Sequence, residues 1–180
     1  YQYDPQPAIQ ETFDEVFTYL ASVETFETPL YLWMMAALKD SQKLWPNDAY
    51  LTYATDFTRQ RLDAEKFRRS SGVNYCAPLE GLASAYSVLE GEMTTDFEFD
   101  LDESIDFWLA KAAQLQLHRD NPYRLVKQDG VLELLVAENS TLAHGGFLTT
   151  ETELKQRIDF TQHCISAYLQ KQVDIDRVEI

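Results

Sequence analysis

The segment Pro78-Leu79-Glu80-Gly81-Leu82-Ala83-Ser84-Ala85-Tyr86-Ser87-Val88-Leu89 decides how the chain is read. Proline is favoured at a first helical position, where its missing N–H is one of the donors a helix leaves unbonded anyway. A helix therefore runs from Pro78 to Leu89. Gly81, Ala83, Ser84 and Ala85 give it little side-chain bulk, so neighbouring helices can approach closely. The segment reads as a helix packed on several sides.

Upstream, Ile9, Phe13, Val16, Phe17 and Leu20 recur at helical spacing and predict a helix over 8–22. Thr28-Pro29 places a capping hydroxyl ahead of a first-turn proline, and the apolar run Leu30 to Leu38 follows, ending near Asp40. Trp45-Pro46-Asn47 breaks the chain, and Asn47 caps a third helix with Leu51, Ala54, Phe57 and Leu62 on its apolar face. A linker over 63–77 carries the basic cluster Lys66, Arg68 and Arg69 and the sequence Ser70-Ser71-Gly72.

Downstream, residues 90–106 hold eight acids and no base. Phe97, Phe99 and Leu101 alternate there with Glu98 and Asp100, which predicts a short extended segment, solvated and exposed. Asp102 is then expected to cap a fifth helix over 103–117 with Ile105, Trp108, Leu109, Ala112, Leu115 and Gln116 buried. Val131 to Val136 fits a strand or a short helix, and Gly145-Gly146 marks a turn. The last helix is expected from about Glu153 to Lys171, with Ile158, Thr161, Ile165, Tyr168 and Leu169 facing the core. Pairing 8–22 with 28–40, 47–62 with 78–90, and 103–117 with 154–171 gives three antiparallel helical hairpins. The second member of each later pair is richer in small and polar residues, which suggests inner and outer rows in a curved array. The fold class expected is all-α, in one domain spanning 1–180.

Composition excludes several functions. With 45% apolar and 25% charged residues and six each of Gly and Pro, the chain is globular rather than disordered. A net charge of −15 repels phosphate backbones and anionic lipid, so neither nucleic acid nor a membrane is an expected partner. No apolar run approaches the ~18 residues of a membrane span. No P-loop, GxGxxG or GxSxG sequence occurs, and no cofactor is implied. The chain opens Tyr1-Gln2-Tyr3-Asp4, which leaves its compartment and its relation to a longer chain open.

Two resemblances follow from longer stretches. Trp108-Leu109 through Gln114-Leu115-Gln116-Leu117, then Gly145-Gly146-Phe147-Leu148, then Arg157-Ile158-Asp159-Phe160-Thr161-Gln162-His163 leading into Ser166-Ala167-Tyr168-Leu169, resemble one repeat of the α/α-toroid proteins. Tyr50 to Leu62 followed by Asn74-Tyr75-Cys76-Ala77-Pro78 to Tyr86 resembles a second. The likeness covers 47–171 and is one of style. It implies a partial α/α-toroid, an architecture shared by sugar epimerases, six-hairpin glycosidases, polysaccharide lyases and terpenoid cyclases.

In such folds the loops entering inner helices face the cavity, and the resemblance gathers Tyr75, Cys76, Glu80, His144, Arg157, Asp159 and His163 there. Asp159 and His163 are four apart on one helix face, so the carboxylate can orient the imidazole as a general base needs. A surface ion pair accounts for the same spacing. The helix dipole favours Glu80 in a first turn whatever its function. His163, His144 and Tyr75 are the expected proton carriers, and Arg157 the fork for a substrate carboxylate, with Asp159 and Glu80 beside it. Cys76 and Cys164 are open to three readings: a disulfide, metal ligands, or buried free thiols, the plainest of the three. Without CxxC or HExxH, no metal is assigned. The acids of 90–106 lack an EF-hand's spacing. Tyr31, Trp33, Tyr75 and Tyr86 are the aromatics considered for stacking on a sugar, and Asn139-Ser140-Thr141 matches a glycosylation acceptor. The expectation is a carbohydrate-active domain working by acid and base chemistry on a glycan or sugar. The alternative is a non-catalytic helical interaction or scaffold module whose partner is another protein or the remainder of a longer chain.

Overall fold

The computed structural model describes residues 7–22, 28–63, 76–118, 120, 123–128, 130–150 and 153–171. The basic cluster Lys66, Arg68 and Arg69, the sequence 70–72 and Tyr75 lie outside them. Seven helices are present among the described residues: α1 (Pro7–Ala21), α2 (Thr28–Leu44), α3 (Asp48–Asp63), α4 (Cys76–Leu89), α5 (Thr95–Ala113), α6 (Ser140–Ala143) and α7 (Ile158–Gln170). Two antiparallel strand pairs join them, β1 (Tyr123–Gln128) with β2 (Val131–Val136), and β3 (Leu148–Thr150) with β4 (Glu153–Gln156). The chain is thus mostly helical, in keeping with the all-α expectation, with two small strand pairs added; of the two readings open for Val131 to Val136, the strand is the one found.

The core is built around α4. It packs most extensively against α2 and α7, with α5 and α3 on its remaining sides. Nine of its residues are buried, among them Leu79, Gly81, Leu82, Ser84 and Ala85. Gly81 shows why: a Cβ there would lie 2.8 Å from Cδ1 of Tyr31 and 3.3 Å from the Cα of Leu32, so α2 crosses α4 at a distance only glycine admits. Tyr31 is fully buried and its hydroxyl lies 3.0 Å from Oγ1 of Thr58, which ties the crossing to α3. Burial raises the Tyr31 pKa, so the ring stays neutral.

α3 begins as the sequence predicts, with Oδ1 of Asn47 accepting from the Ala49 amide at 2.9 Å. Its Tyr50 and Tyr53 receive Phe13 and Phe17 of α1 in edge-on contacts. The Tyr50 hydroxyl donates to Asp14, and burial together with that carboxylate pushes its pKa up to about 12. α2 runs past Asp40 to Leu44, further than its apolar run.

The acidic segment is helical rather than extended. Thr94, not Asp102, occupies the N-cap position, and Asp96 and Glu98 fall in the first turn, where the helix dipole favours their charge. Phe97 and Leu101 are an i, i+4 pair that continues into Ile105, Trp108, Leu109 and Ala112, all buried, while Phe99 faces solvent. The period of two was a coincidence of a helical stripe with one exposed aromatic. The acids are exposed as expected, save the half-buried Asp102, whose carboxylate pairs with Lys171.

The last helix departs furthest. Residues 153–156 form a strand against β3, and α7 starts at Ile158. Ile158 is 89% exposed, and Ile165 and Leu169 also face solvent; Tyr168 is buried as expected, but with Cys164 and Ala167 beside it. The cause is covalent. Cys76 and Cys164 form a disulfide, with Cα atoms 4.6 Å apart, which overturns the expectation of free thiols and fixes which side of α7 meets α4. Tyr168 completes the seam by donating to the Leu109 carbonyl at 2.9 Å, and burial pushes its pKa up to about 12. Asn139 caps α6 by accepting from the Leu142 amide, and Gly145 turns the chain at φ +81°.

Gly81→Ala is expected to destabilise the fold. An overpacking penalty of about 1–3 kcal/mol at the Tyr31 ring exceeds the roughly 0.5–1 kcal/mol gained by replacing a helical glycine. Urea unfolding checks this through a lower midpoint at unchanged slope; a higher midpoint would mean that Tyr31 yields.

Candidate functional site

α4 presents Cys76, Glu80 and Ser84 at intervals of four, and so on one face. α7 answers that face residue by residue. Cys164 bonds to Cys76, Nδ1 of His163 lies 2.5 Å from Oε2 of Glu80, and Ser84 Oγ donates to Oε1 of Gln170 at 3.0 Å. The Glu80 and His163 side chains are 15% and 14% exposed. Trp33 of α2 stands beside them, its ring 6.2 Å from that of His163 in an edge-on arrangement and 64% exposed.

The pair has a defined chemistry. A carboxylate can only accept, so Nδ1 carries a proton toward Glu80, and in the neutral ring Nε2 keeps its lone pair. Glu80 thereby fixes both the tautomer and the orientation of the imidazole and stabilises the imidazolium formed if Nε2 takes a proton. The disulfide one residue along α7 and one turn earlier on α4 holds the two helices at the spacing this contact requires. It also leaves neither sulfur as a free thiolate. No cluster of three or more His, Cys, Asp or Glu suited to a metal ion occurs among the described residues.

The other expected site residues are placed differently. His163 is oriented by Glu80, 83 residues away, not by Asp159 four residues away. Asp159 is bound by Arg157, which donates from Nε to Oδ1 at 3.0 Å and from Nη2 to Oδ2 at 2.6 Å. Arg157 holds the Asp159 carboxyl below its usual pKa, and its guanidinium lies 4.7 Å above the Phe160 ring. The fork expected to hold a substrate carboxylate is occupied by the chain's own. His144 is exposed after α6, its ring 6.2 Å from that of His118. Of the aromatics considered, Tyr31 is buried and Tyr86 donates to Glu98 at 3.1 Å beneath the Lys171 ammonium, whereas Trp33 is available. A groove of about 860 Å³ runs along the outer side of α7, lined by Arg157, Ile158, Thr161, Ile165 and Leu169 among others. His163 is on the opposite side of that helix, toward α4.

No helix among the described residues is long and apolar enough to cross a membrane. Comparison of the chain with protein-family models, curated proteins and solved structures yields no match.

Two predictions follow from the seam between α4 and α7. Replacing both Cys76 and Cys164 with Ala opens a covalent loop spanning a separation of 88 residues, and chain-entropy reasoning expects a loss of about 4–5 kcal/mol. Denaturant titration of the double variant against wild type measures it, and equal midpoints would show the bond to be absent or without effect. A double-mutant cycle on Glu80→Gln and His163→Gln is expected to give a coupling of about 1–3 kcal/mol, the range for a largely buried charged hydrogen bond. A coupling near zero would mean that the two side chains do not meet.

Proposed function

We propose that the Glu80–His163 pair beside Trp33 is the working site of a carbohydrate-active domain that uses acid and base chemistry. The observation that carries this reading is a carboxylate-oriented imidazole next to an exposed indole. His163 Nε2 would take a proton from a sugar hydroxyl, Glu80 would stabilise the resulting imidazolium, and Trp33 would offer an apolar face on which a pyranose stacks. With Arg157 engaged by Asp159 and the chain at −15, a neutral sugar suits the site better than an acidic one. The finer architecture, a partial α/α-toroid, belongs to the same proposal; the close packing of α4 on α7, the two helices assigned to an inner row, supports it.

A second reading, a non-catalytic interaction module, is favoured by a separate observation: Leu125, Leu132, Leu134 and Val136 of the β1–β2 hairpin all face solvent.

A screen of neutral oligosaccharides for binding and turnover separates the two. The carbohydrate reading expects Trp33→Ala to weaken binding at least about tenfold, a loss of some 1.4 kcal/mol, and His163→Gln to remove turnover with helical circular dichroism retained. Binding that is indifferent to Trp33→Ala, or no sugar bound at all, would overturn it.

A further inference from the structure

Among the described residues the β1–β2 hairpin is a two-stranded ribbon with no third strand paired to it. Its register places Tyr123 opposite Val136, Leu125 opposite Leu134 and Lys127 opposite Leu132, so these three rungs share one face. Tyr123, Leu125, Leu132, Leu134 and Val136 are each about half or more exposed. Together they leave on the order of 500 Å² of apolar surface in water, the upper end of what a monomer tolerates. A ribbon of two strands has no core of its own, and an uncovered face of this kind is normally completed by packing against something else.

We propose that this face is the interface of a homodimer, in which the hairpins of two copies pack face to face about a two-fold axis. Three observations select a second copy as the occupant. The three rungs are symmetric about the Leu125–Leu134 pair, so a two-fold axis over that pair sets the Tyr123/Val136 rung of one copy against the Leu132-bearing rung of the other, as an isologous contact requires. Two copies burying this face each remove roughly 1,000 Å² in total, the lower bound for a specific interface. Charge points the same way. Two chains of −15 repel wherever acid meets acid, as they would along α5, but residues 123–136 carry Arg124, Lys127, Asp129 and Glu133 and are neutral as a unit. The hairpin is a place where two such molecules can meet without that penalty. The inference gives the interaction reading its partner, and it stands whether or not Glu80 and His163 act on a sugar.

Sedimentation equilibrium of the intact, oxidised chain over about a hundredfold range of concentration tests it, since an interface of this size is expected to associate in the micromolar range. The expected result is a reversible dimer that Leu134→Asp and, separately, Leu125→Asn convert to monomer, while Glu133→Ala, on the opposite face of the ribbon, leaves it dimeric. Hydrogen exchange should show amides of 123–136 gaining protection as concentration rises. Circular dichroism of each variant confirms that the helices remain. A monomer throughout the range would overturn the proposal, as would a dimer that survives both leucine substitutions. Higher salt should strengthen a true hairpin dimer by screening the remaining repulsion; dissociation by salt would also count against it.

Discussion

The approach of α2 to α4 at Gly81 is the constraint from which the rest of the packing follows. With Tyr31 Cδ1 at 2.8 Å and the Leu32 Cα at 3.3 Å from where a Cβ would be, the Tyr31 ring and the α2 backbone occupy the space a side chain on α4 would need. The Tyr31 ring can then lie over Gly81, reach Thr58 on α3 with its hydroxyl and pack edge-on against Phe57. One absent methyl group thus organises three helices. Ala83, Ser84 and Ala85 extend the same low relief around α4, and α7 and α5 occupy the sides that α2 leaves free.

The disulfide then converts one of these contacts into a fixed rotation. A helix seated by dispersion alone settles with its most apolar side inward, and for α7 that would bury Ile158, Ile165 and Leu169. Instead Cys164 is held at Cys76, which keeps Tyr168 in the core together with Ala167 and brings His163 onto Glu80. The apolar residues are left on the outside along the groove. Stability and site geometry share a cause here, since the bond that closes the longest described loop also positions the imidazole.

This explains which parts of the fold were legible from residue order. Helices whose burial matches their own periodicity, such as α3 with Ala54 and Phe57, could be read directly, and Asn47 announced its own capping role. At the start of α5, Phe97 and Leu101 satisfy both a period of two and an i, i+4 stripe, and only the exposure of Phe99 separates the two patterns. For α7 the stripe places Tyr168 correctly but not Ile158, Ile165 and Leu169, because a bond to a residue 88 positions away sets which side faces α4. The hairpin had a usable signal in Asp129-Gly130 between two apolar runs, a dipeptide suited to a tight turn with positive φ, and Gly130 does adopt φ +84°. At the site, residue types and spacing point to Glu80 and to His163, but they offer Asp159, four residues away on the same helix, as the carboxylate partner in place of Glu80. Sequence spacing reports neighbours along an element and is silent about neighbours across a seam.

The seam and the hairpin answer to different physical demands, and that difference bears on what the molecule can do. Glu80 and His163 sit on two helices joined covalently and wedged into the core, so the imidazole has little freedom to lose when a ligand arrives, which is the condition for efficient proton transfer. The hairpin touches the rest of the chain through β4 and carries apolar residues outward, so its face gains burial only when something covers it. Covering it need not disturb the Glu80–His163 contact, because the most extensive packing of the hairpin outside itself is to β4. A chain at −15 that must keep its acids apart has reason to confine self-association to one neutral ribbon and to leave the exposed Trp33 edge of the bundle open to solvent. Association and ligand capture are then separable, each resting on residues the other does not use.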